Sequence, residues 1–276
     1  MQAVRKADHD RYLAALYAPS DKRDALMALY AFNAEIAGVR DRIREALPGE
    51  VRLQWWRDVL GAPAGEEETG QPVAPVAYAL RAAIAQYHLP LAAFQNYLEA
   101  RVFDLYDDPM PSRTDLEGYC GETASTIIQL ASLMLDASAA QKFSQLAGHA
   151  GCAQAMTGLL LLLPRHRARG QCYIPADLLA AVGSSPEEFI KGQDRQGSLR
   201  VVGAMIALAK EHLEMFHKEA SFLPQSLRPA YLPLALTAAL LQRMEARPQD
   251  VLDGKTGLSH LYRHWLLWRH AMRGWR

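Results

Sequence analysis

The segment that most constrains this chain is Gly151 to Pro175, whose sequence reads GCAQAMTGLLLLLPRHRARGQCYIP. Its middle is apolar without interruption from Leu159 to Leu163, which predicts a helix buried inside the protein. Pro164 then removes an amide donor, and its ring clashes with the preceding turn, so we expect the helix to end or kink there. The sequence therefore predicts a buried helix that breaks beside a basic segment.

The composition favours a single helical domain. Half of the 276 residues are hydrophobic, and the 18 glycines and 15 prolines are spread along the chain. A chain of this length can bury a large core, and its many alanines and leucines favour helices. The clearest surface loop is Gly61 to Pro75, after which helical spacing resumes at Val76. We therefore expect an all-α fold with residues 1–276 in one domain.

Charge and cysteine content narrow the class of protein. Because 30 basic and 30 acidic residues cancel, no overall field attracts nucleic acid, and we expect no nucleic-acid partner. The cysteines, Cys120, Cys152 and Cys172, lack metal-type spacing and suit a reducing compartment. The longest apolar run, Ala25 to Phe32, is far shorter than the roughly 20 residues that span a bilayer. We expect a cytoplasmic protein, with peripheral contact at the inner face of a membrane as the alternative.

Residues 258–276 read as a basic amphipathic helix. Leu261, Trp265 and Trp268 recur at helical spacing, and arginines lie between the apolar residues without any acid. Two interpretations remain open. The helix lies in a membrane interface or against a partner, or it packs on the body with its arginines in water.

Carboxylates are the candidate metal ligands, because Mg²⁺ prefers oxygen donors. A helix predicted from Leu91 to Tyr106 leads into Asp104, Asp107 and Asp108, and their i, i+3, i+4 spacing places them on one helix face. This cluster predicts a water-mediated Mg²⁺ site. Two prolines follow at once, so the alternative is a set of surface charges where the helix frays.

Asp41 is a fourth candidate ligand. A second helix is predicted from Lys22 to about Ala46, and Asp41 lies near its end. Its neighbours in the sequence are Arg40, Arg42 and Arg44. We interpret Asp41 as a solvated residue paired with one of these arginines, and a metal ligand is the alternative.

Four short motifs occur one after another along the chain. They are Tyr30-Ala31-Phe32, Trp55-Trp56-Arg57, Tyr119-Cys120, and Arg169-Gly170 followed by Tyr173 and Pro175. This pattern resembles the squalene/phytoene synthase family over roughly Asp8 to Leu252. The resemblance implies the isoprenoid synthase fold, in which helices surround a central cavity.

The resemblance also implies what faces that cavity. In family enzymes two facing aspartate motifs hold Mg²⁺ and the substrate diphosphate. The matching positions here are Ala37, Gly38 and Asp41 in the first motif, and Gly158, Leu162 and His166 in the second. Asp41 alone keeps a carboxylate. We interpret His166, which follows the predicted helix break, as a solvated loop residue.

Further residues are assigned by the same comparison. The implied cavity-lining residues are Tyr30, Asn33, Ala37, Gly158 and Leu162. In active synthases the tyrosine that matches Tyr119 has a role in the carbocation chemistry. The alternative for Tyr119 is a core tyrosine whose hydroxyl is hydrogen-bonded.

The leading hypothesis for function is a non-catalytic member of the family without a cofactor, similar to the family's assembly factor for respiratory complex I. Its partner would be a respiratory complex subunit, an assembly intermediate or an isoprenoid lipid. The alternative is an Mg²⁺-dependent transferase that condenses prenyl diphosphates head to head, with Tyr119 at the cation. Its displaced metal ligands would be Asp41, Asp104, Asp107 and Asp108.

A third possibility is metal-free binding of an isoprenoid diphosphate by guanidinium groups. The arginines available for it are Arg165, Arg167 and Arg169.

Overall fold

The computed structural model describes residues 2–62 and 74–275. Every regular element in these ranges is helical, which confirms the predicted all-α fold. The α-helices are α1 (Gln2–Ala7), α2 (His9–Leu16), α3 (Ser20–Ala37), α4 (Ala46–Gly61), α5 (Pro75–Tyr87), α6 (Leu91–Ala100), α7 (Arg113–Cys120), α8 (Thr126–Leu135), α9 (Ala137–Lys142), α10 (Ser144–Leu161), α11 (Leu163–Ala168), α12 (Ala176–Ala181), α13 (Pro186–Lys191), α14 (Arg195–Ala220), α15 (Arg228–Tyr231), α16 (Thr237–Ala246), α17 (Pro248–Leu252) and α18 (His260–Arg273). Short 3₁₀ segments are Arg40–Arg42, Arg101–Leu105, Gln225–Leu227 and Leu232–Leu236, and Gly121–Ser125 is a π-helical turn. The predicted loop from Gly61 to Pro75 lies, apart from its ends, outside the described residues.

Helix α10 lies at the centre of the molecule. It packs along α14 and also contacts α8 and the π-helical turn. The predicted break near Pro164 is confirmed, because α10 ends at Leu161 and α11 begins at Leu163. Proline is tolerated in a first helical turn, where its missing amide has no intrahelical partner to lose. The break allows the chain to turn beside the C-terminal half of α10.

Helix α3 is shorter than predicted. It ends at Ala37, Gly38 follows, and the chain turns through the 3₁₀ segment Arg40–Arg42. The next helix, α4, begins at Ala46 and contains Pro48 in its first turn, where the missing amide has no intrahelical partner to lose. As a result Asp41 lies on a separate turn and not on the face of α3.

The helix predicted from Leu91 to Tyr106 also ends early. Helix α6 stops at Ala100, a 3₁₀ segment covers Arg101–Leu105, and the backbone at Tyr106 is extended. Asp104 is buried, whereas the two aspartates that follow Tyr106 are exposed. The prediction that Asp104, Asp107 and Asp108 share one helix face is therefore wrong, because the chain loses α-helical spacing before the second of them.

The amphipathic helix predicted in residues 258–276 is confirmed over His260–Arg273, and Arg276 lies outside the described residues. This helix, α18, packs on the 3₁₀ segment Leu232–Leu236 and beside α2. Its buried residues are Leu266 and Leu267. In the described ranges we find no helix with the combined length and apolar character that crossing a bilayer requires.

Candidate functional site

A cavity of about 550 Å³ lies between α3, α10, α11 and the 3₁₀ segment Leu232–Leu236. Four of the predicted cavity-lining residues line it, namely Asn33, Ala37, Gly158 and Leu162. The fifth, Tyr30, does not, and that prediction is wrong. The Arg11 guanidinium lies over the Tyr30 ring, 6.0 Å from its centroid, and Arg11 lines the cavity in its place.

The buried carboxylate of Asp104 organises one wall of the cavity. Asp104 Oδ1 accepts hydrogen bonds from the hydroxyls of Tyr119, at 2.7 Å, and Tyr173, at 2.8 Å. Asp104 Oδ2 accepts from Arg101 Nη1 at 2.9 Å. Gln171 fixes the backbone beneath by donating to the Asp104 carbonyl at 2.8 Å. The wall is thus a network in which one carboxylate is shared by two phenols and a guanidinium.

Tyr119 faces the cavity, as the resemblance implied, but its hydroxyl is already engaged. The oxygen accepts from Arg101 Nη1 at 2.9 Å while the proton is donated to Asp104. Burial raises the pKa of Tyr119 well above its usual value, so the phenol stays protonated. This arrangement agrees with the alternative of a tyrosine whose hydroxyl is hydrogen-bonded.

Asp41 is paired across the cavity and not with its sequence neighbours. Its carboxylate accepts a short hydrogen bond from Arg169 and lies 3.7 Å from Arg165 Nη1. Arg40 instead donates to Asp107 at 2.9 Å. The interpretation that Asp41 pairs with an adjacent arginine is therefore wrong, because the 3₁₀ turn presents its side chain to α11.

Every carboxylate that lines the cavity within the described ranges has an arginine partner. Two pairs lie near the N-terminal helices: Asp8 with Arg11 at 2.6 Å, and Asp10 with Arg263 at 2.5 Å. The cavity wall therefore contains ion pairs rather than free carboxylates.

The arginines that line the cavity outnumber the aspartates. In the described part of the chain six arginines face it, namely Arg11, Arg40, Arg101, Arg165, Arg169 and Arg263. Four aspartates face it, namely Asp8, Asp10, Asp41 and Asp104. The wall therefore has a formal excess of two positive charges, six minus four.

The predicted metal ligands are not brought together. Asp41 and Asp104 line the cavity, whereas Asp107 and Asp108 lie outside it. Across residues 2–62 and 74–275, we find no group of three or more His, Cys, Asp or Glu side chains placed to hold a metal ion. The i, i+3, i+4 spacing of Asp104, Asp107 and Asp108 therefore wrongly predicted that their carboxylates lie together.

The three arginines after Pro164 do not act as one set. Arg165 and Arg169 line the cavity, but Arg167 lies over the Phe189 ring, 5.1 Å from its centroid. Residues four apart share a helix face, and a residue two apart points to the other side. Because Leu163–Ala168 is helical, the predicted anion-binding role of Arg167 has no support in its placement.

His166 is buried, with 8% of its surface exposed, so the interpretation as a solvated loop residue is wrong. Its ring packs on Tyr173 with the centroids 4.7 Å apart. The cause is the resumption of the helix after Pro164, which points the imidazole inward. Burial, the largest cause, together with the charges of Arg169 and Arg165, lowers the pKa of His166 to about 4, against the opposing effect of Asp104.

We expect His166 to make the protein less stable in mild acid. The unfolded histidine takes up a proton near pH 6.5, whereas the folded one resists protonation down to about pH 4. Its stabilising contribution is therefore complete above pH 6.5 and is lost as the pH falls towards 4. At pH 5 the loss is about 2 kcal/mol.

Urea unfolding at pH 7 and pH 5 tests this expectation. The fall in the free energy of unfolding between the two pH values should be smaller by about 2 kcal/mol in His166→Gln than in the unmodified protein. An equal fall in both proteins would contradict it.

Part of the cavity lining is apolar. Leu159, Leu161, Pro233, Leu236 and Leu240 line it from α10, the 3₁₀ segment Leu232–Leu236 and α16. Leu162 is 41% exposed at this wall and does not fill the space. The cavity therefore joins a cationic surface to an apolar one.

Sequence reasoning missed several charged residues of this site, namely Asp8, Asp10, Arg11, Arg40, Arg101 and Arg263. Arg101 carried a usable signal, because it precedes Asp104 by three residues, a spacing at which ion pairs form. Arg11 likewise follows Asp8 by three. Arg263 carried no such signal, because its partner Asp10 is 253 positions away.

Comparison with known proteins identifies the family to which this chain belongs. The sequence model described as squalene/phytoene synthase matches residues 4–269. Complex I assembly factor 6 of NADH dehydrogenase (ubiquinone) from Homo sapiens is 27% identical, over 98% of this chain and 81% of that protein. The 15-cis-phytoene synthase of Synechococcus elongatus is 24% identical, over 87% of this chain and 80% of that protein.

A solved structure shows the same fold. A dehydrosqualene synthase crystallised with a ligand superimposes with a TM-score of 0.77 and 21% identity, covering 97% of this chain and 92% of that one. The predicted isoprenoid synthase fold is thereby confirmed. Since the family's sequence model spans nearly the whole chain, this protein belongs to the squalene/phytoene synthase family.

Proposed function

We propose that this chain is a non-catalytic member of its family that acts by binding a subunit or intermediate during the assembly of respiratory complex I. The observation that carries this proposal is the pairing of Asp8, Asp10, Asp41 and Asp104 with arginines. An Mg²⁺ ion needs oxygen ligands with free lone pairs. To bind here, it would have to displace a guanidinium from each carboxylate.

The residues that match the family's acidic positions support the same conclusion. Ala37, Gly38, Gly158 and Leu162 all line the cavity, and their side chains have no oxygen to offer a metal. The similarity to the human complex I assembly factor extends over 98% of the chain. A protein that keeps the family fold but pairs its cavity carboxylates with arginines is suited to binding a partner and not to catalysis.

Two measurements test the proposal. We expect deletion of the gene to lower the amount of assembled complex I on native gels. Complementation by Asp41→Asn should restore it as well as the unmodified gene, because an exposed carboxylate is neutralised and no catalysis is lost. Purified protein incubated with farnesyl or geranylgeranyl diphosphate and Mg²⁺ should yield no condensed product.

Two outcomes would overturn the proposal. The first is normal complex I in the deletion strain. The second is formation of a squalene- or phytoene-like product that disappears in Asp41→Asn, which would establish the prenyltransferase alternative with Asp41 as a metal ligand.

A second candidate function is metal-free binding of an isoprenoid diphosphate. The formal excess of two positive charges in the cavity favours it, and so do the apolar side chains that line part of the cavity. Guanidinium groups pair with phosphate oxygens bidentately without a metal. Asp41 occupies Arg165 and Arg169 in the structure, and the anionic head of a ligand would take its place.

Titration calorimetry with farnesyl diphosphate in EDTA tests this candidate. We expect Arg165→Gln/Arg169→Gln to weaken binding by about 10-fold or more, because charge-assisted hydrogen bonds are lost. Arg167→Gln is the matched control, since Arg167 lies on the same helix but contacts Phe189. Binding that requires Mg²⁺, or that the double substitution leaves unchanged, would exclude this candidate.

A further inference from the structure

Helix α18 presents a line of apolar side chains directly to solvent. Leu261 is 85% exposed, Trp265 47%, Trp268 51% and Met272 63%. At 3.6 residues per turn these four lie within about 60° of one another around the helix axis, along about 17 Å of its length. We call them the α18 stripe.

The α18 stripe points away from the body of the protein. Leu266 and Leu267 are buried, and Arg263 reaches Asp10 at 2.5 Å. Around the helix axis these three residues lie on the side opposite the stripe. The helix is therefore anchored by one face, while the two tryptophans on the other face stay about half exposed. The ring contacts of Trp265 are with Tyr262 and Arg269 of the same helix.

The helix that carries the stripe is positively charged. Helix α18 contains no acidic residue, and Arg269 and Arg273 are exposed on one flank of the stripe. The Arg269 guanidinium lies over the Trp265 ring, 5.5 Å from its centroid. The chain as a whole has a formal charge of zero, so this is a local concentration of charge.

A second acid-free segment lies nearby. Helix α1, whose sequence is QAVRKA, exposes Arg5 and Lys6. It packs against α2, and α2 in turn contacts α18, where the His9 and His264 rings are 5.7 Å apart. Arg5 and Lys6 therefore lie one helix beyond α2, whose own acids, Asp8 and Asp10, are paired with Arg11 and Arg263.

We propose that α18 docks in the plane of an anionic lipid bilayer. Tryptophan favours the boundary between headgroups and acyl chains, because its ring is apolar and its N–H is polar. Leu261 and Met272 enter the apolar layer beside the tryptophans, and Arg269 and Arg273 meet the lipid phosphates. An acid-free helix with an apolar stripe and flanking cations is the pattern of an interfacial helix. The proposal stands independently of what the cavity binds.

The docking also has a consequence for the cavity. Arg263, on the anchored side of α18, lines it. A bilayer held against the stripe therefore lies one helix diameter, about 10 Å, from the cavity wall. The structure places the cationic part of the cavity close to the docked surface.

Sedimentation with vesicles tests the proposal on the full chain. The vesicles are phosphatidylcholine alone, or phosphatidylcholine with phosphatidylglycerol at roughly a 7:3 ratio, an anionic fraction chosen to give an appreciable negative surface potential. We expect binding to the anionic vesicles that weakens with added salt. Arg269→Gln/Arg273→Gln should weaken it by about 20- to 30-fold, since each basic residue near an anionic surface contributes about five-fold.

A second variant isolates the apolar contribution. Trp265→Ser/Trp268→Ser should abolish sedimentation with the anionic vesicles. Its matched control is Leu47→Ser/Val51→Ser, which removes two apolar side chains of α4 that are 68% and 63% exposed. Circular dichroism spectra and melting temperatures verify that each variant is folded.

Several results would overturn the proposal. One is an unmodified protein that sediments with neither vesicle. Another is a tryptophan variant that is folded and binds as well as the control. A third is a tryptophan variant that still binds vesicles but no longer binds a purified protein partner. That result would assign the α18 stripe to protein contact.

Discussion

Replacement of Asp104 by alanine is expected to lower the free energy of unfolding by about 3–5 kcal/mol, because it leaves a buried charge without its partner. Arg101 donates to this carboxylate at 2.9 Å, and its side chain is only 15% exposed. Tyr119 and Tyr173 lose their acceptor in the same substitution. Urea unfolding monitored by circular dichroism measures the effect.

Asp107→Ala is the control for this prediction. Its pair with Arg40 has the same 2.9 Å separation, but the Asp107 side chain is 52% exposed. Exposed pairs contribute about 0–1 kcal/mol, so we expect little change. If the two substitutions destabilise the protein equally, or if Asp104→Ala costs less than about 1 kcal/mol, the structural role given to Asp104 is wrong.

This result bears on how the function is tested. An Asp104→Ala protein that loses an activity would have lost the wall of its cavity as well, so the loss would not identify a metal ligand. Asp41 is the better residue for that question, because its side chain is 43% exposed. Its replacement leaves the buried network in place.

Gly151→Ala is expected to cost about 2–3 kcal/mol, at the upper end of overpacking effects. A Cβ atom at this position would overlap the backbone nitrogen and the Cα atom of Ser125. Those are main-chain atoms of the π-helical turn, so the conflict is relieved only if α10 or the turn moves. Thermal and urea unfolding report the loss.

Gly148→Ala is the matched control on the same helix. Nothing lies within 4 Å of a Cβ atom there. Alanine is a better helix former than glycine, so we expect no loss and a gain of up to about 0.5–1 kcal/mol. If both substitutions are tolerated equally, the close approach of α10 to the π-helical turn does not constrain the fold.

Much of the fold was predictable because its signals are local. The break at Pro164 follows from one missing amide, and the amphipathic helix α18 follows from the spacing of its tryptophans. Four of the residues that the family resemblance implied for the cavity, Asn33, Ala37, Gly158 and Leu162, line it. Tyr30 does not line the cavity, because Arg11 of helix α2 lies over its ring.

The candidate site was less predictable because its charges depend on helix ends. Asp107 and Asp108 were grouped with Asp104 on the assumption that α6 continued. The helix stops at Ala100, and the three carboxylates separate. Arg167 was grouped with Arg165 and Arg169 as one diphosphate-binding set, although the segment is helical and residues two apart point to different sides.

The sequence by itself determined the helical class, the break after α10 and membership in a family, because these depend on neighbouring residues and on motif spacing. Only the tertiary structure decided the state of the cavity. Asp41 meets Arg169 across 128 positions of sequence, and Asp10 meets Arg263 across 253. Such ion pairs form only where packed helices bring distant side chains together, so no local pattern specifies them.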